Sequence, residues 1–297
     1  MNDVSAHYDE TAASYHEQYD RSLVWDHAAY PANLFRLEKV TEILRNAGAK
    51  SLYDIGAGEA SPMIEVHKKL GIQVAGCELS PEMVKFGREN LAQQGLDPNC
   101  LGLLDMRDRD ALKAEAERVG QFDAVMALGV IPHVEDDNWF VEAMSLFLKP
   151  GGTLILQFRN SMFSMFTFNR LTKVFILDEL LANVPKQFKD AVSADLDRRL
   201  AVDKPPARAW NKDAPSYDEI LARFHNPFEL ADVVRANGYE DLSFRWYNFH
   251  PTYPMIAGEL DPREYREAQV DLEADKSWRG MFLCSAGMII ARKSSAN

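Results

Sequence analysis

The chain has 297 residues, 26% of them charged and 46% apolar, which suits a soluble globular protein of one large domain with insertions, or one domain plus a small second one. Its net charge of -12 argues against a nucleic-acid partner, because phosphate binding rests on a surplus of Lys and Arg. The three cysteines, Cys77, Cys100 and Cys284, lack CxxC spacing and read as apolar residues in a reducing compartment, neither a disulfide frame nor a zinc site. The polar, acidic first residues read as neither a signal nor a transit peptide. The greasiest window, Met162–Leu181, carries Arg170, Lys173, Asp178 and Glu179, charges that a membrane span excludes. The expectation is a cytoplasmic protein with no membrane partner.

In chain order, residues 1–20 place Tyr8, Tyr15 and Tyr19 among few aliphatics and predict a short helix over a neighbouring surface, with Tyr15 a candidate substrate contact. Leu34, Leu37, Val40, Ile43 and Leu44 recur at helical spacing from Pro31 to Ala47, and Gly48 supplies a stop. Short apolar runs then alternate with amphipathic segments. Strands are predicted at 51–55, 73–77, 101–104, 122–128 and 153–158, with helices at 62–70, 81–94, 109–118 and 138–148. Such alternation implies a parallel sheet with helices on both faces. "KPGG" at 149–152 predicts a turn into the fifth strand.

The rhythm fails over 160–225, which holds no strand pattern and is too long for an ordinary connection. It is read as an inserted helical cap over the substrate site, spanning 159–225. A helix stopped at Gly238 and a strand follow, then a second insertion at 250–283 and a last strand, Cys284–Arg292. The core is thus assigned to 1–158 and 226–297.

Within the first strand–helix corner, "LYDIGAGEASPMIEV", Gly56 and Gly58 allow the backbone to approach a ligand with no Cβ in the way. The following helix aims free amides and a partial positive charge at the same spot. Glu78, beyond the second strand, can accept two hydrogen bonds from a ribose diol. A dinucleotide-binding GxGxxG would need glycine where Ser61 stands. Asp54 ahead of the turn suits an ammonium group better than an anionic pyrophosphate. By itself the motif also fits a purely structural corner with a solvated Glu.

Four segments in order, "LYDIGAGEA", "VAGCELSPEMVKFGREN", "FDAVMALGVIPHVED" and "LFLKPGGTLIL", followed by "HNPFELADVVRANGYEDLSF", resemble the class I (Rossmann-like) methyltransferases that use S-adenosylmethionine (AdoMet). The likeness is to the small-molecule branch with the ubiquinone-pathway and sugar O-methyltransferases, and covers roughly 5–158 and 225–292. It implies an α/β fold with a doubly wound, mostly parallel seven-stranded sheet, AdoMet as cofactor and S-adenosylhomocysteine (SAH) as product. It also implies that Gly56, Ala57 and Gly58 line the methionine end and that Asp54 helps fix its amino group. Glu78 would take the ribose hydroxyls and Leu79 would pack on adenine. Asp105 would accept from the adenine amino group with Met106 beside the ring, while Leu128 and Gly129 would offer backbone groups to the methionyl amine. Where the family often has a third glycine, this chain has Ala60.

Methyl transfer to a hydroxyl asks for alignment and a base. His133, just after the fourth strand, is the candidate general base, a packing role being the alternative. "EDDN" at 135–138 reads as a helix cap before a metal site, and no metal is expected. Arg159, Asn160, Trp246 and Tyr253 are candidate substrate contacts, set against roles as cap anchors or core. The expected activity is methylation of a small molecule, O- ahead of N- or C-methylation, with a sugar-type acceptor preferred. An NAD(P)-binding oxidoreductase and a non-catalytic AdoMet-binding protein are the rivals.

Overall fold

The computed structural model describes residues 21–25, 31–200 and 223–295. The first helix, α1 (Ala32–Ala47), ends at Gly48 in the left-handed region, φ 65°. Thereafter strands and helices alternate: β1 (Ser51–Ile55), α2 (Ser61–Leu70), β2 (Gln73–Glu78), α3 (Pro81–Gln93), β3 (Leu101–Leu103), α4 (Arg109–Val119), β4 (Phe122–Ala127), α5 (Asp137–Leu146) and β5 (Leu148–Arg159). The insertion follows with α6 (Ser164–Thr167), α7 (Arg170–Val174) and α8 (Lys186–Arg199). The chain closes with α9 (Pro227–Ala236), β6 (Tyr239–Phe249), α10 (Pro262–Leu272), α11 (Gly280–Leu283) and β7 (Cys284–Lys293).

The seven strands form one sheet in the order β3-β2-β1-β4-β5-β7-β6. Pairing from β3 to β5 is parallel, and β7 runs antiparallel to both β5 and β6. Successive strand residues point to opposite faces, and both faces are covered. Leu52, Ala124 and Ile155 pack with Leu37, Val40 and Leu44 of α1 and Met63 of α2. Tyr53, Val125 and Leu154 pack with Leu112 of α4, Phe140 and Met144 of α5 and Leu230 of α9. This is the doubly wound architecture that the alternation predicts.

"KPGG" is drawn into β5 rather than preceding it. The β4–β5 register passes from Phe122↔Leu148 to Ala124↔Thr153, so the extra β5 residues bulge, with Gly151 at φ 73° taking the reversed backbone. The cysteines are free, Cys77 and Cys284 buried and Cys100 partly so. Among the described residues, no helix is long and apolar enough to cross a membrane.

Candidate active site

The corner after β1 is built on the two glycines. Gly56 and Gly58 take φ 72° and 58°, and a Cβ added at Gly56 would meet Val130 Cγ2 at 2.3 Å, so that position admits only glycine. Gly56 and Ala57 donate their backbone N–H groups to Cys77 O at 2.8 and 3.0 Å, which seats the turn on the end of β2. Ala60 is fully buried at φ 70°, so its methyl fits the turn, at a cost of about 1 kcal/mol in backbone conformation. No side chain caps the N-terminus of α2.

Glu78, ending β2, accepts from the backbone N–H groups of Gly58 at 2.9 Å, Leu79 at 2.7 Å and Ser80 at 2.9 Å. Its carboxylate therefore joins the ends of the first two strands. Asp54 lies behind the glycine turn, 1% exposed, and neither carboxylate oxygen has a hydrogen-bond partner. Burial pushes its pKa well above the ordinary carboxylate value; the nearby Glu78 charge adds to the rise and the Arg36 guanidinium opposes it.

At the other end, Asp105 accepts twice from Arg107 Nε, at 2.8 and 3.0 Å, and this pairing lowers the Asp105 pKa. Trp139 Nε1 donates to Met106 O at 3.1 Å, and the Arg109 guanidinium lies 4.0 Å from the Trp139 ring centre. Beyond β4, Gly129 takes φ 84°. Residues Ile131–His133 then make a single 3₁₀ turn.

A cavity of about 390 Å³ gathers these groups. Asp54, Gly56, Ala57, Gly58, Glu78, Leu79, Asp105, Met106, Leu128 and Gly129 all line it, and so does His133. It lies at the carboxyl ends of β1, β2 and β4, where open α/β sheets bind ligands. Sequence reasoning missed Arg36, Arg107, Arg109 and Trp139 on the same wall. One signal for Arg36 was present: it stands four residues before Val40 and eight before Leu44, on the inward stripe of α1, and is only 6% exposed. Trp139 is placed by α5 and carried no comparable signal.

The candidate substrate contacts are placed elsewhere. Asn160 is 1% exposed, and its amide donates to Met281 O at 2.6 Å and Cys284 O at 2.8 Å, anchoring the insertion to β7. Trp246 packs against Phe244 at 5.5 Å between centroids and against the faces of Gly280 and Gly287, a core position. Tyr253 is 41% exposed and meets Phe166 and Phe168. The Arg159 guanidinium lies 5.7 Å from the Phe224 ring centre. None of the four lines this cavity, nor does any described residue of 160–225. Tyr15 lies outside the described residues. In "EDDN", Asp136 caps α5 by accepting from Trp139 N at 3.0 Å, and Asp137 pairs with Arg223. No group of three or more His, Cys, Asp or Glu able to hold a metal ion occurs among the described residues.

Comparison with known proteins decides between the cofactors. The methyltransferase domain family matches residues 53–156, the stretch that supplies the glycine turn, Glu78, Asp105 and His133. Over this stretch the chain matches a methyltransferase domain, which favours AdoMet over a dinucleotide. The chain is 36% identical over 128 residues to the ubiquinone biosynthesis O-methyltransferase of Xanthomonas axonopodis pv. citri (strain 306), covering 43% of this chain and 50% of that one. It spans about half the length of the curated relatives that it matches. Its fold is shared with an O-methyltransferase family protein from Burkholderia thailandensis, at TM-score 0.51 and 15% identity, over 99% of this chain and 63% of that one. A SAM-dependent methyltransferase from Thermotoga maritima, described as a possible histamine N-methyltransferase, gives TM-score 0.51 at 16% identity, over 97% and 98% of the two chains.

The residues that line the cavity fit AdoMet. A buried carboxylate with both oxygens unbonded, Asp54, faces a cavity whose expected ligand carries an ammonium group. The same carboxylate behind a pyrophosphate would be repulsive, which with Ser61 disfavours a dinucleotide.

Proposed function

We propose that this chain methylates a hydroxyl of a small molecule, with His133 as the general base. The observation that carries the reading is the pairing of Asp54, buried and unbonded, with the glycine turn inside a cavity that also holds Glu78 and His133. Asp54 would hold the ammonium group of AdoMet and Arg36 its carboxylate, the two protein charges then being balanced by the zwitterionic end of the ligand. Glu78 would accept from the ribose diol, its position already set by three backbone amides. Leu79 and Met106 would flank the adenine, and Asp105, held by Arg107, would accept from its amino group. Leu128 and Gly129 would present backbone groups to the methionyl amine.

When bound, AdoMet supplies an electrophilic methyl group on a sulfonium. The protein's task is then to align the acceptor oxygen and take its proton. A neutral imidazole on the 3₁₀ turn of His133 would accept that proton at a ring nitrogen as the oxygen attacks. The named activity of the Xanthomonas relative supports a hydroxyl acceptor. Calorimetric titration with SAH, with NADH as a parallel ligand, tests the cofactor: the expected result is SAH binding with no NADH signal. Tight NADH binding or silence toward SAH would overturn the reading. Incorporation of label from methyl-labelled AdoMet into oxygen of a phenol or polyol acceptor tests the reaction; label appearing only on amines would overturn the hydroxyl assignment.

A further inference from the structure

The loop that carries His133 is a short turn. His133 N donates to Val130 O at 2.9 Å and Val134 N to Ile131 O at 3.1 Å, a single 3₁₀ turn with extended backbone after it. A further restraint comes from far along the chain. The backbone N–H of Arg223 donates to Pro132 O at 2.7 Å, and Arg223 Nη1 donates to Val134 O at 2.7 Å and Glu135 O at 3.3 Å. One residue thus holds the carbonyls on both sides of His133.

Arg223 is itself fixed. Asp137 accepts from Nη1 at 2.7 Å and Nη2 at 2.9 Å, a half-buried two-armed pair. His225 Nε2 lies 3.3 Å from Asp137 Oδ1, and the His225 backbone N–H donates to Arg159 O at 2.7 Å while its carbonyl accepts from Ser161 N at 3.0 Å. Residues 223–225 therefore form a strap from the end of β5 to the rim of the cavity.

We propose that Arg223 is a positioning residue for His133, its guanidinium and backbone together setting where the imidazole stands over the cavity. The proposal rests on the methyl-transfer reading for its catalytic meaning, and on the hydrogen bonds alone for its geometry. A displacement of about 1 Å in a reacting group can cost about 10²-fold in rate, so such a hold is worth building. Lysine cannot replace the guanidinium here. A point charge on a flexible stem does not reach Val134 O and both Asp137 oxygens at once.

The test uses the full chain with Arg223→Gln and Arg223→Lys, and Arg235→Gln, which breaks only the exposed Arg235–Asp232 pair, as control. Amide hydrogen exchange across 130–136 and the ring resonances of His133 are measured alongside SAH titration. The expected result is exchange at 131–135 faster by about tenfold or more in both Arg223 variants, with the sheet amides unchanged. His133 ring resonances shift, and SAH affinity stays within about threefold, because Arg223 is outside the cavity wall. Wild-type exchange and unmoved His133 resonances would overturn the positioning role, and so would exchange that rises evenly over the whole sheet. Should Arg223→Gln not fold, Arg223→Lys decides by the same readouts. Failure of the wild-type chain to bind SAH overturns the methyltransferase reading instead, which keeps the two failures apart.

Discussion

Residues 51–140 and residues 160–200 use the chain in opposite ways. The first stretch is four parallel strands with their helices, and every residue that lines the cavity except Arg36 comes from it. Most contribute from a strand end, the turn just after it or the first turns of the helix that follows, so these cavity contacts follow from local backbone geometry. The second stretch is mostly helical, and α8 buries none of its residues. Val174, Leu180 and Phe188 stand 52%, 59% and 57% exposed. Its polar anchors, such as Asn160, satisfy backbone carbonyls instead of facing the cavity. A site formed at strand ends is local and repeats in a recognisable order, whereas an insertion is held by contacts distant in sequence.

The comparison can be broken by substitutions in either stretch. His133→Ala should slow turnover by about 10²–10⁴-fold while leaving SAH affinity unchanged, as measured by steady-state kinetics and calorimetry. Unchanged turnover would make it a packing residue. Glu78→Ala strands the amides of Gly58, Leu79 and Ser80 and removes the expected ribose acceptor, so SAH affinity should fall by about 1–3 kcal/mol. Wild-type affinity would end the ribose assignment.

Asn160→Ala, in the second stretch, leaves Met281 O and Cys284 O without their donor and should cost about 1–3 kcal/mol in denaturant unfolding, with SAH affinity unmoved. Weakened SAH binding there would blur the division between the stretches.

Asp54 sharpens the comparison through pH. Its folded-state pKa lies above the ordinary value of 3.8, so the unfolded chain loses this proton first. This group therefore favours the fold at low pH, and its contribution is lost as pH rises from about 3.8 through the raised folded-state value. Asp54→Asn should remove that slope and raise apo stability at neutral pH, as read by denaturant unfolding. The same change should weaken SAH binding, and wild-type affinity should rise with pH as Asp54 ionises to meet the ammonium group. An Asp54→Asn protein that is less stable and binds SAH normally would count against both statements. The smallest effect is expected from Phe188→Ser on the exposed face of α8: within about 0.5 kcal/mol of wild-type stability, with SAH affinity unaltered.

Seven strands, the alternation that lays helices on both faces, and the cavity wall from Asp54 to His133 were legible in the sequence by itself. Period-two and helical spacings report burial directly, and the glycines of the first corner are visible as residue types. Arg36 left a partial trace as a charge on an apolar stripe. Tertiary structure alone decided the rest: that Arg107 pairs with Asp105, that Trp139 donates to Met106 O, that Asn160 donates to Met281 O and Cys284 O, and that Trp246 packs on Gly280 and Gly287. It also brought Arg223 to the carbonyls flanking His133 from 89 residues away. Hydrogen bonds across such separations depend on where the sheet puts the two segments, and no local spacing encodes that meeting.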